Sequence, residues 1–569
     1  MLMEQEEETK WRERGGRRVL PLATLLKCLE LTTSTPQPRK EPRSLWRIGG
    51  GRALPKKDEV PKGARRGVHF SMEDDSSAPE IHGESTQPLL DEQLPREKVP
   101  GLCSVRWGLA FILHVSFFVT YSQRVDLSIA IVAMVNNTDQ QVSLNVSADV
   151  CPESSPVPPN TSQPREVKAP VYNWTPETCG FLLSSFSYGY LITQIPGGYL
   201  TGIVGWKPVL GVGLLLSSIL GLLLPSAAER GVAYLALIQV LRGLSQGVIF
   251  PAYFTLWTKW APPQELTCLM NFADAGTTLG TFFTLMVGGI TCQTLGWPAF
   301  FYIFGSVNCV WGLLWFFLVF EDPDSHPCIS ITEKEYITST STQKGPCHSW
   351  SLPLLSMLKC RPLWAIAVAY FCCDWLFYTL LTLLPVYLSH ILHLDTRESG
   401  FLSAPPYIGN WLGQIGTGLL GDFLVAKNLL QLGTLRKLFT ALGMLCPAAL
   451  VLTVPYVGCN RIIVVILFTL SMTLISMTGA GFAMNLLDVA PRYAGFLHGV
   501  INTLANLSGM AAPTVAGFLS SQDTLSGWRN VFFLSGAINL FGVIFYLIFG
   551  RADIQAWARA DSPSDVDSH

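Results

Sequence analysis

Glu321-Asp322-Pro323-Asp324-Ser325-His326 opens a polar stretch that runs to residue 361 and separates two sets of apolar segments. A helix needs ~20 apolar residues to cross a ~30 Å hydrocarbon core. Before the break, segments of that length fall near residues 107–135, 178–202, 208–227, 231–257, 267–293 and 298–320. After it they fall near 362–390, 398–425, 435–456, 462–487, 494–519 and 528–550. Six segments on each side of one linker predict an all-α membrane protein with 12 transmembrane helices. They form two six-helix bundles, residues 107–320 and 362–550, joined by a cytosolic loop at 321–361.

Composition points the same way. Of 569 residues 49% are hydrophobic and 14% charged, against about 25% charged in soluble domains. The net charge of −2 hides a split, because residues 1–71 alone carry 16 Lys/Arg and 9 Asp/Glu. The segment 1–106 reads as a cytosolic tail, largely disordered, and the basic part as an extension rather than a lipid- or nucleic-acid-binding arm. No nucleic-acid partner is expected. Residues 551–569 form a second short cytosolic tail.

Basic residues in short loops mark the cytosolic side. Lys207, Lys259, Arg361, Lys427, Arg436, Lys437, Arg492 and Arg551 fall on one side together with both termini. The outer loop at 136–177 carries four glycosylation sequons, at Asn136, Asn145, Asn160 and Asn173, which agrees with an extracellular or luminal loop. Asn506-Leu507-Ser508 matches the same pattern inside a span and is expected to stay unmodified.

Several strings resemble known transporters. Gly418-Leu419-Leu420-Gly421-Asp422 resembles the cytosolic hinge motif of the major facilitator superfamily, whereas its first-half counterpart has Gly202 where an acid would stand. Tyr188 to Tyr199, Lys259-Trp260-Ala261-Pro262-Pro263 and Leu487-Asp488-Val489-Ala490-Pro491-Arg492-Tyr493 are similar to solute carrier family seventeen, the organic and inorganic anion transporters. Within it, Ile329 to Ile337 and Trp528 to Ser535 resemble the sodium/phosphate and urate branch, while Phe377 to Pro385 and Cys151-Pro152-Glu153 resemble sialin. The resemblance implies the major facilitator fold and a secondary transporter working by alternating access. It also implies a small anionic substrate, with Asp422 and Arg492 serving as a conformational hinge.

Charges inside spans are candidate functional groups because burying them in lipid is costly. Arg124 matches the family's first-helix arginine, and a guanidinium's planar fork suits carboxylate, phosphate or urate. Gln239, Arg242, Gln246 and Tyr253 recur at helical spacing as one polar stripe. The family's fourth-helix arginine aligns with Gln239, so this chain's arginine lies one turn later, displaced by ~4.5 Å. Sialin's two proton-handling acids align with Arg242 and Gln246, so that coupling route loses its carriers here. Asp126, Asp274 and Asp374 remain candidates for ion coupling to H⁺ or Na⁺, or alternatively counter-ions to the arginines. Tyr121, Tyr190, Tyr378 and Asn485 are candidate substrate contacts, with packing as the competing reading.

Scattered cysteines without metal-ligand spacing predict no metal site, and no cofactor is expected beyond possible coupling to Na⁺, H⁺ or Cl⁻. A phosphate-binding glycine loop and a hydrolase nucleophile elbow are both missing, so no enzyme is expected. The expected function is secondary active or voltage-driven transport of small organic anions such as urate. A proton-coupled sialate or acidic amino acid carrier and a sodium-coupled phosphate transporter are the alternatives. A non-transporting scaffold or receptor is the rival from another class. A monomer in the apical plasma membrane is expected, with an endolysosomal or vesicular membrane as the other location.

Overall fold

The computed structural model describes residues 104–135, 170–340, 352–390, 402–458, 460–519 and 525–559. Both tails beyond these residues, and the sequons at Asn136, Asn145 and Asn160, lie outside the described residues. Asn173 lies within them and is exposed just before the second span.

Among the described residues twelve helical spans follow one another. The first bundle comprises α1 (Val105–Met134), α2 (Pro176–Val204) and α3 (Trp206–Leu222, continued after a 47° bend by Leu224–Arg230). It is completed by α4 (Val232–Gln246 and Ile249–Trp260), α5 (Leu266–Asp274 and Gly276–Thr294) and α6 (Trp297–Leu318). The second comprises α7 (Arg361–His390), α8 (Pro405–Ala426), α9 (Leu432–Thr453), α10 (Arg461–Ile475 and Phe482–Val489), α11 (Ala494–Leu519) and α12 (Leu525–Phe549). Among the described residues there is no named strand, only an isolated bridge between Val135 and Tyr172.

Among the described residues eight spans are long and apolar enough to cross a membrane on their own, and bent α3 makes nine. The other three, α2, α8 and α11, have 29, 22 and 26 residues and fall short only in apolar character. Their place in the fold explains this. α2 packs on α11 and α8 packs on α5, so these helices make the contacts between bundles. Their small and polar residues face protein instead of lipid.

Close backbone approach sets the first bundle. A Cβ on Gly243 would strike the Phe186 carbonyl, and one on Gly189 the Val240 carbonyl. Bare backbone at these two positions lets α2 lie directly against α4, which fixes where Phe186 and Tyr190 project.

The central linker is tied to the first bundle. The Glu333 carboxylate accepts from the Val105 and Arg106 backbone N–H groups, both at 3.1 Å, and from Arg106 Nη1 at 3.2 Å. Arg106 also pairs with Glu265 at 2.7 Å. At the linker's start Glu321 accepts from the N–H groups of Trp206 and Lys207, where its charge complements the N-terminus of α3.

Candidate functional site

Arg124 emerges from α1 into the space between the bundles. Its guanidinium carbon lies 4.5 Å from the ring centroid of Tyr190, 5.3 Å from Phe186 and 5.4 Å from Tyr121. These are distances at which a cation is attracted to an aromatic face. Among the described residues no carboxylate lies within ion-pair distance of Arg124. Its contact with the second bundle is Nη2 donating to Asn506 Oδ1 on α11 at 3.5 Å. Tyr378 Oη on α7 donates to the same oxygen at 3.4 Å, and Asn502 Nδ2 donates to Tyr190 Oη at 3.2 Å. The structure thus brings Arg124, Tyr121, Tyr190 and Tyr378 together. It adds three residues that sequence reasoning passed over: Phe186, Asn502 and Asn506.

Arg242 sits elsewhere. It has no exposed surface. Its Nη1 and Nη2 donate to the two Asp126 carboxylate oxygens at 3.2 and 2.8 Å, to Gln239 Oε1 at 2.9 Å and to the Gln123 backbone carbonyl at 2.6 Å. A guanidinium held this way is a structural ion pair inside the first bundle. This differs from the expected second cation of the cavity, and Asp126 is its counter-ion. Gln246 Nε2 donates to Ser217 Oγ at 2.8 Å and to Gln123 Oε1 at 3.3 Å. Gln123 Oε1 in turn accepts from Ser217. Gln239, Arg242 and Gln246 therefore face α1 and α3, away from the space that holds Arg124, while Tyr253 donates to the Met270 carbonyl of α5 at 2.7 Å. The physical reason is that helical period reports an inward face without saying which neighbour it meets.

Asn485 is also outside the cavity, buried where its Nδ2 donates to Tyr546 Oη at 2.8 Å across α10 and α12. Asp274 closes the first half of α5 and Asp374 lies on α7. Neither makes an ion pair among the described residues, and the two lie on opposite bundles.

The halves of the bundles that carry the Lys/Arg-rich loops, the side expected to be cytosolic, are closed on each other. Asp422 on α8 accepts from the backbone N–H groups of Thr267 (3.2 Å) and Cys268 (2.7 Å), so its charge meets the N-terminus of α5 in the other bundle. Arg492 makes no such crossing among the described residues; it stacks over neighbouring Tyr493 at 5.5 Å. Along α2 and α11 the approach is backbone on backbone, since a Cβ on Gly198 would meet Gly495 and one on Gly499 the Gln194 carbonyl. Beyond Arg124, toward the outer face, no hydrogen bond or ion pair joins the bundles among the described residues.

Two six-helix bundles, closed on each other on the side of the Lys/Arg-rich loops and holding a half-buried guanidinium between them, define a carrier that exposes one central site to alternate sides. Residues 109–513 match the profile of the Major Facilitator Superfamily. The chain is 48% identical to a mouse "Probable small intestine urate exporter", over 81% of this chain and 93% of the relative. It is 46% identical to mouse "Sodium-dependent phosphate transport protein 3" over 83% and 98%, and 42% identical to human "Sialin" over 83% and 95%. In fold it is similar to the Escherichia coli fucose:proton symporter FucP, with a TM-score of 0.52, 14% identity, and 77% and 98% of the two chains covered. The chain belongs to the major facilitator superfamily and, within it, to solute carrier family seventeen. It is accordingly a multi-pass membrane transporter of small solutes.

Proposed function

We propose that the protein carries planar organic anions, urate among them, by alternating access, with Arg124 as the anion's anchor. One observation carries this reading: a guanidinium without a carboxylate partner among the described residues, enclosed by the rings of Tyr121, Phe186 and Tyr190. A guanidinium fork binds the charged edge of the substrate, and aromatic faces take up its flat body. A tetrahedral phosphate would use the fork and leave the rings idle, which makes phosphate the weaker candidate despite the relative named for it.

Asp274 and Asp374 are the proposed coupling groups. Each is a carboxylate within a span, without an ion-pair partner among the described residues, and able to take H⁺ or Na⁺ when hydrated. Asp126 leaves the coupling set because Arg242 holds it. The protein acts as a monomer without a cofactor and catalyses no covalent reaction. It works at the apical plasma membrane, with an endolysosomal membrane as the other location. The test is uptake of radiolabelled urate, sialate, aspartate and phosphate by purified protein in liposomes, with voltage, pH, Na⁺ and Cl⁻ set separately. Urate flux exceeding the other three supports the reading, and flux of phosphate alone would refute it.

A further inference from the structure

The wall of the site facing Arg124 is built from two asparagines one turn apart on α11. Asn506 Nδ2 donates to the Asn502 backbone carbonyl at 2.7 Å and to Asn502 Oδ1 at 3.2 Å. Those two bonds turn its amide nitrogen along the helix and its oxygen toward the other spans. On that oxygen converge Arg124 Nη2 at 3.5 Å and Tyr378 Oη at 3.4 Å. Both distances sit at the long end for hydrogen bonds, so both are weak and open to exchange. The site therefore presents a cation and, within one hydrogen bond of it, an oriented neutral acceptor.

That pairing has a chemical consequence. An anion on the guanidinium brings its neighbouring atoms against Asn506 Oδ1. If the neighbour is an N–H or O–H, it donates and the oxygen is satisfied. If every polar atom of the ligand accepts, two lone pairs face each other and a polar group is left unpaired, which a closed site penalises. Sites built on such a bond discriminate against analogues that lack it better than apolar pockets do.

We propose that Asn506 is a specificity-determining residue of the transporter, selecting anions that carry a hydrogen-bond donor beside the negatively charged oxygen. This rests on the reading of Arg124 as the anchor. The oxygen also bridges the bundles, so a ligand that takes over its bonds joins recognition to closure.

The test compares radiolabelled urate, which has such donors, with benzoate, a flat anion without one. Uptake is measured in liposomes for the wild-type protein, Asn506→Leu, Asn506→Ser and Arg124→Ala. Asn506→Leu keeps the volume and deletes the acceptor, and the urate-to-benzoate ratio is expected to fall about tenfold. Asn506→Ser restores an acceptor oxygen and should recover part of the ratio, which also covers the case in which the leucine variant fails to fold. Equal loss of both anions, an unchanged ratio, or a wild-type protein that prefers benzoate would each overturn the proposal. Arg124→Ala should abolish both fluxes. Uptake persisting there would sink the anchor reading itself, whereas an unchanged ratio in Asn506→Leu with Arg124→Ala inactive removes only the role of Asn506.

Discussion

Arg242 meets Asp126 through both terminal nitrogens and both carboxylate oxygens, at 3.2 and 2.8 Å, with no exposed surface on the arginine. Three residues before Asp126, the chain of α1 has already supplied Gln123 to the same network, and between the two lies Arg124, turned the other way. One helix thus presents a hydrogen-bonded polar face to α4 and α3 and, toward the substrate space, a cation without a carboxylate partner among the described residues.

Removing one partner of a buried ion pair leaves an uncompensated charge, at a cost of about 3–5 kcal/mol. Asp126→Ala is therefore expected to lower the thermal midpoint of the detergent-purified protein sharply, and Arg242→Met to do much the same. The double variant should be more stable than either single one. Strictly additive losses in this cycle would show that the two residues do not depend on each other.

Gly499 allows α11 to touch the Gln194 carbonyl on α2. Gly499→Leu should hold the cytosolic halves apart and cut transport more than about tenfold, since interior packing leaves no slack for the added atoms. Cysteines introduced at the cytosolic ends of α2 and α11 should then gain reactivity toward a membrane-impermeant maleimide applied from that side. Normal transport with unchanged labelling would refute the closure described for this face.

Asp422 caps the first turn of α5 from the opposite bundle. Such a charge at a helix N-terminus contributes about 0.3–2 kcal/mol, and here it acts only in the cytosol-closed arrangement. Asp422→Asn is expected to shift the resting population toward the cytosol-open state, up to about thirtyfold at the upper end of that range. Distance measurements between spin labels on α5 and α8 would detect the shift, and an unaltered distance distribution would argue against it.

Asp274 and Asp374 supply the test of coupling. Asn substitution at the coupling residue should flatten the dependence of uptake on the external cation while leaving exchange of labelled for unlabelled substrate. A full gradient dependence in both variants would exclude them as cation carriers.

The architecture was legible because a helix that crosses lipid needs a fixed length of apolar residues, and the Glu321 break divides those runs six and six. The three least apolar spans were still recognisable by length, and their polarity follows from facing the other bundle. Arg124 and the tyrosines were legible because a charge inside a span stands out, and helical spacing puts Tyr121 near Arg124. Arg242 stood out equally, yet its partner is set by the way α4 turns toward α1, which no periodicity encodes. Asn506 was concealed for a different reason: its surrounding pattern reads as a glycosylation sequon, and only the crossing of α11 with α1 and α7 gives it a role. Phe186 looked like any apolar residue until Gly189 and Gly243 brought α2 against α4.

The central claim is that Arg124 holds the transported anion. It is tested most directly by urate uptake into liposomes carrying wild-type protein or Arg124→Ala, at equal protein content and a clamped inside-positive potential. The account predicts saturable uptake by the wild type and uptake by Arg124→Ala no higher than in empty liposomes, with the variant still monodisperse. Saturable uptake by Arg124→Ala with an unchanged half-saturating concentration would contradict it.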